Sequence, residues 1–166
     1  ALHLERALGA LDLVERPDEP KRCELLLLLG DARMRAGDRS AGRAAFAAAA
    51  EAARRLGRPE LLARAALGFG GLGVTILAVD EATVALLEEG LAALGEDPPG
   101  SALRARLLSR LAVELYYGPQ RERSERLGAE ALALARRSGD DRVLAYALNA
   151  RHVTLWRADR LEERLG

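Results

Sequence analysis

The chain has one cysteine (Cys23), one lysine (Lys21) and one isoleucine (Ile76) in 166 residues, and aromatics make up only 4% of it. A lone cysteine excludes an internal disulfide and suits a reducing compartment. With β-formers so scarce, the remaining mixture, dominated by Ala, Leu, Arg and Glu, favours helix. A surplus of either charge is missing too. The 25 basic residues balance 25 acidic ones, so no net field draws in a nucleic-acid backbone or an anionic membrane. Nucleic acid is therefore not expected as a direct partner. The longest uncharged run, Ala65 to Val79, is 15 residues with four glycines, short of the ~20 apolar residues that span a bilayer. No signal-peptide pattern stands at Ala1, and a cytoplasmic, soluble protein is the expectation. His3 and His152 are the only histidines, so local spacing assembles neither a metal-ligand cluster nor a Cys-His dyad. No cofactor or metal is expected.

What the chain does have is repetition. Ala53-Arg54-Arg55-Leu56-Gly57 followed by Leu61-Leu62-Ala63-Arg64-Ala65 returns 82 residues later as Ala135-Arg136-Arg137-Ser138-Gly139 followed by Val143-Leu144-Ala145-Tyr146-Ala147. Self-similarity at a fixed spacing means that one structural unit is stacked several times, and two units in 82 residues are each longer than a minimal helix pair of ~34. Since 49% of the residues are hydrophobic, such units can bury a core rather than stay disordered.

Punctuation divides the chain into helices. Leu2, Leu4, Leu8, Leu11 and Leu13 fall near one another at helical spacing and stop at Arg16-Pro17-Asp18-Glu19-Pro20. A second helix is expected over Lys21 to Ala36, ended by Gly37-Asp38, and a third from a cap at Ser40 to Leu56, stopped by Gly57. Pro59 opens a fourth that reaches about Phe69. Gly70 to Val79 reads as a loop with an apolar tail. Asp80 then caps a helix to Leu94 that ends at Gly95, and Ser101 caps one through Tyr117, closed by Gly118-Pro119. Further helices run from about Glu122 to Ser138 and from Asp141 to Trp156, with a turn at Ala158-Asp159. Both ends interrupt a unit, which points to a piece of a longer protein. Small residues at Gly30, Gly68, Ala112 and Ala150 recur at 38, 44 and 38 residues, and the helix stops Gly57, Gly95 and Gly139 at 38 and 44. The extra six residues fall near Val79 and Pro98-Pro99, where loops absorb insertions.

Leu29-Gly30 and Gly37-Asp38, with Gly42, Phe46 and Ala49, resemble the tetratricopeptide repeat; Arg33 replaces that family's aromatic, Leu67-Gly68 keeps the dipeptide, and Leu111-Ala112 and Asn149-Ala150 keep only the small residue. The resemblance implies an all-α, right-handed superhelical solenoid of antiparallel helix hairpins, about four repeats with truncated ends, forming a single domain over residues 1–166. Long arginine-rich units and segments such as LLARAALGFGG, LAVELYYGP and ALNARHVTLW are also similar to the helical-repeat region of large actinobacterial regulators, MalT-like or LuxR-type ATPase regulators and antibiotic-regulatory relatives. With 24 arginines against one lysine, the composition agrees with a GC-rich genome. That resemblance implies a module that senses an inducer or a protein, alongside other domains of the same polypeptide, with self-association also open. The repeat family's groove positions correspond here to Asp31, Met34 and Arg35, then Phe69, then Arg106, Val113, Tyr116 and Tyr117, and finally Arg151 and Thr154.

Motifs that suggest chemistry have plainer readings beside them. Gly68-Phe69-Gly70-Gly71-Leu72-Gly73 satisfies GxGxxG, yet that fingerprint needs a strand before it and a helix after it, and here a helix precedes. Glu88-Glu89 and Glu162-Glu163 are sequence neighbours that leave a helix in different directions, so they do not form a general acid and base pair. Arg54-Arg55, Arg136-Arg137 and the group Arg121, Arg123 and Arg126 are interleaved with glutamates, so surface Arg–Glu pairing competes with phosphate binding. Asn149, His152 and Trp156 share one helix face, as a polar patch against a neighbouring helix or a ligand contact. The expected function is non-enzymatic binding of a protein or small effector. A packing or oligomerisation spacer inside a multidomain ATPase is the alternative, favoured if the Ile76 segment fills the groove.

Overall fold

The computed structural model describes residues 1–15, 18–71, 79–95 and 102–156. Among them are eight α-helices: α1 Leu2–Asp12, α2 Glu19–Arg35, α3 Arg39–Arg55, α4 Pro59–Gly70, α5 Glu81–Leu94, α6 Ala102–Leu115, α7 Arg121–Ser138 and α8 Asp141–Thr154. The expected Ser101 cap, the turns at Pro98-Pro99 and Ala158-Asp159, and residues 72–78 of the apolar loop with Ile76 lie outside the described residues.

Local chemistry sets the helix ends. Asp18, Asp80 and Asp140 accept hydrogen bonds from backbone amides of their helices' first turns, Asp18 from Lys21 at 2.9 Å and Asp80 from Thr83 at 3.1 Å. Helix α2 starts at Glu19, two residues earlier than its proline suggested, because Pro20 lacks an N–H in a turn where none is needed. Helix α3 is capped by Asp38, not by the expected Ser40, since the Asp38 carboxylate accepts the Ala41 amide at 3.1 Å. Pro59 does open α4. Gly57, Gly95 and Gly139 follow α3, α5 and α7 with φ of 59°, 66° and 67°, a left-handed backbone that a side chain resists. Helix α6 stops at Leu115, which leaves Tyr116 and Tyr117 in the following turn.

The chain divides into two compact units, Ala1–Leu72 and Gly73–Gly166. Each contains four helices in the same order. Adding 82 to the bounds of α3 gives 121–137 against α7's 121–138, and adding 82 to the start of α4 gives the start of α8. Within the first unit α2 packs on α1, α3 and α4, and α3 on α4; within the second α6 packs on α5, α7 and α8, and α7 on α8. Ala49, Ala53 and Ala65 and their counterparts Ala131, Ala135 and Ala147 are all buried.

Where the counterparts differ, volume moves from one helix to another. In the first unit the buried Phe46 ring lies against Gly30 of α2 and Gly68 of α4. A methyl group on Gly30 would come within 2.8 Å of the ring, and one on Gly68 would overlap it. In the second unit the same three positions are Gly128, Ala112 and Ala150. The bulky residue has become glycine and the glycines alanine. Thr154 fills the space above Gly128, where a methyl would come 2.9 Å from its Oγ1. Both arrangements keep helix-to-helix packing dense.

Gly30→Ala should therefore lower stability by about 1–3 kcal/mol through overpacking, although alanine is the better helix former. Gly9→Ala, at an α1 position with nothing near its missing side chain, should raise stability by about 0.5–1 kcal/mol. Urea unfolding of the two variants checks the contrast, and equal effects would remove the packing role of Phe46.

Candidate binding surface

The residues expected to line a groove have different fates in the two units. In the first, Asp31 and Arg35 are exposed on α2, together with Glu24 and Leu28 at helical spacing on the same face. Leu28 is 48% exposed. It escaped the sequence reading because it belongs to the run Leu25 to Leu29, in which no periodicity marks the outward leucine. Met34 is half-buried and packs on Gly42, where a methyl would meet its Cγ at 2.8 Å. Phe69, at the end of α4, is half-buried beneath Arg43, whose Cζ stands 3.8 Å from the ring centroid.

In the second unit the first helix of the hairpin is closed. Every residue of α6 from Leu107 to Leu115 is buried. Val113 and Tyr116 are 8% exposed and Thr154 of α8 is 0% exposed, so these three expected groove residues are interior ones, a correction with identifiable causes. Tyr116 donates its hydroxyl proton to the Trp156 carbonyl at 2.8 Å and carries Arg121 over its ring at 5.2 Å. Thr154 Oγ1 donates to the Arg151 carbonyl at 3.0 Å. Arg151 is half-buried and reaches the Glu125 carbonyl at 3.3 Å. Tyr117, half-buried, stands edge-on to Tyr116 with centroids 4.9 Å apart. Arg106 remains exposed, its Cζ 6.0 Å from the Tyr146 ring centroid.

Closure of α6 places charge inside. Arg110 and Glu114, one turn apart, form a 2.6 Å ion pair with side chains 6% and 1% exposed. The other Glu114 oxygen accepts the Asp80 amide at 3.2 Å, and so ties the start of α5 to α6. On sequence grounds this pair is indistinguishable from a surface Arg–Glu pair such as Glu51–Arg54, which stays on the outside. Only the packing of α5, α7 and α8 around α6 separates the two. Buried hydroxyls share the interior, Ser109 donating to the Ala105 carbonyl at 2.8 Å, Ser124 to the Ala112 carbonyl at 2.6 Å, and Thr154 as above, with Thr83 of α5 buried as well.

The remaining candidates sort themselves. Gly68 and Gly70 of the GxGxxG string lie inside α4, Gly71 ends that helix, and Gly73 is outside the described residues. The first half of the string is therefore helix rather than a phosphate-cradling turn. Arg123 pairs with Glu88 of α5 at 2.6 Å, not with a glutamate of its own helix. Asn149 and His152 are exposed on α8, but that helix ends at Thr154, short of the expected Trp156, which is exposed just beyond it with its ring centroid 6.2 Å from that of His152. Among the described residues no group of three His, Cys, Asp or Glu side chains is placed to hold a metal ion, and no helix is long and apolar enough to cross a membrane. No family model matches the chain, and neither a curated protein nor a solved structure is detectably similar to it.

Glu114→Ala should cost about 3–5 kcal/mol, because it removes the ion-pair partner of the buried Arg110, whereas Arg110→Met combined with Glu114→Leu should cost far less. A double-mutant cycle by urea unfolding checks this, and additive costs would show the pair to be solvated. Burial pushes the Tyr146 hydroxyl above its ordinary value of 10.0, against the pull of Arg110 and Arg106. Burial likewise raises the Cys23 thiol above 9.0. A raised acid is held neutral in the fold while the unfolded chain ionises, so stability is intact below about pH 9 and falls as pH rises through the raised values. Tyr146→Phe should flatten the upper part of that fall, read as unfolding midpoints between about pH 8 and 11.

Proposed function

We propose that the chain is a non-enzymatic, protein- or effector-binding helical-repeat module of a bacterial transcriptional or signalling regulator, built as a tetratricopeptide-like solenoid. The 82-residue equivalence of the two units supports the repeat reading, as does the way α2 packs on both α3 and α4 and its counterpart α6 on both α7 and α8. The observation that carries binding is the open face of α2. Leu28, Asp31 and Arg35 stand exposed there in a helix otherwise packed on three neighbours. An apolar side chain flanked by an arginine and a carboxylate is the mixture found at interface anchors. Phe69 under Arg43 adds an aromatic surface in the same unit.

The alternative, a packing or oligomerisation spacer, draws on a different observation: α6, the counterpart of α2, shows no open face along most of its length. The two readings thus divide between the units. Affinity capture from the source cytoplasm with the wild-type chain and a Leu28→Glu/Arg35→Glu variant of unchanged melting temperature separates them. The binding reading expects a specific protein or small molecule retained by the first and lost by the second. Equal retention by both, or none by either, leaves the spacer.

A further inference from the structure

Helix α1 is held differently from its neighbours. None of its residues is buried, and its outer side leaves Leu2 exposed, with Leu13 and Val14 exposed just beyond its end. Its inner stripe is Leu4, Leu8 and Leu11, half-buried at helical spacing. Two ion pairs flank Leu8 and Leu11 of that stripe, Glu5 with Arg33 and Asp12 with Arg22. The carboxylates are seven residues apart, two turns of helix, and the arginines eleven apart, three turns, so each pair of charges falls on one face of its helix. Since the early residue of α1 meets the late residue of α2, the helices run antiparallel. Between the arginines on that face of α2 lie Leu25, Leu26 and Leu29, each half-buried. This stripe is distinct from the open face of Leu28, Asp31 and Arg35.

Elements with few buried contacts open at the lowest free energy, and ion pairs left partly in solvent, as these two are, hold weakly and more weakly still in salt. We propose that α1 is a displaceable cover, and that the α2 surface beneath it, with leucines between Arg22 and Arg33, docks an amphipathic helix of a partner protein that carries leucines between two carboxylates seven residues apart. Charge complementarity sets this occupant: a helix laid antiparallel on α2 with an acid at each end of the leucine strip replaces the partners that Arg22 and Arg33 have in Asp12 and Glu5, while Arg33 also keeps Asp38 at 3.4 Å. In the free chain α1 fills that role itself and competes with the partner at the high local concentration of a tethered segment. This inference does not rest on the Leu28 face, and its failure leaves that reading untouched.

The test uses the full chain and a fluorescent peptide of residues 1–15 as a stand-in for the partner helix. Glu5→Arg/Asp12→Arg repels α1 from α2 and should let the peptide bind about ten-fold more tightly than it binds wild type, with the gain lost in about 1 M salt. A peptide carrying the same two changes should not bind. Failure of the peptide to bind the released variant, or binding indifferent to its carboxylates, would overturn the proposal, as would a dimer in which copies exchange α1. Hydrogen exchange on the wild-type chain covers the case in which the variant misfolds. The α1 amides should exchange faster than those of α2 and α3 and faster still in salt, and protection equal to theirs would sink the idea.

Discussion

Close approach of helices at small residues is the constraint on which both units depend. An aromatic ring the size of Phe46 can lie across two helices only if both present glycine, and Gly30 and Gly68 do so. When the ring is exchanged for Gly128, the facing positions grow to Ala112 and Ala150 and Thr154 moves into the gap. The helices hold the same succession through this exchange because a loss of bulk at one position is met by larger residues at the positions facing it. Glycine inside a helix is costly for the isolated segment, and here the packing it permits offsets that cost.

The same constraint explains how differently the two first helices behave. Helix α2 keeps an open stripe of Leu28, Asp31 and Arg35 on one side and the half-buried Leu25, Leu26 and Leu29 on another. Helix α6 is surrounded, and once surrounded it needs its internal charges paired, which Arg110, Glu114 and the Asp80 amide accomplish together. A repeated sequence has thus produced one unit with spare surface and one whose central helix is spent on its own core.

Legibility followed locality. Asp80 as a cap, Pro59 as a first-turn residue and the stops at Gly57, Gly95 and Gly139 were all readable, because each acts through its own backbone neighbours. Ser40 lost to Asp38 by two residues in a competition for the same amides, a difference that spacing alone does not resolve. Leu28 was hidden inside five consecutive leucines, and Val113, Tyr116 and Thr154 were placed outward by analogy with the face of an idealised hairpin. The structure put them inside: the Trp156 backbone carbonyl accepts the Tyr116 hydroxyl, and Thr154 packs over the bare backbone of Gly128.

By itself the sequence determined the succession of helices, the stops at Gly57, Gly95 and Gly139 and the 82-residue correspondence, since hydrogen-bond caps, proline and positive-φ glycine operate over a few residues. Only the tertiary structure decided which face of each helix meets water. A leucine run is apolar all round, and an Arg–Glu pair one turn apart forms equally well on an isolated helix, so neither carries a direction until neighbouring helices close over it. That is why Glu51–Arg54 and Arg110–Glu114, nearly alike in sequence, ended on opposite sides of the surface.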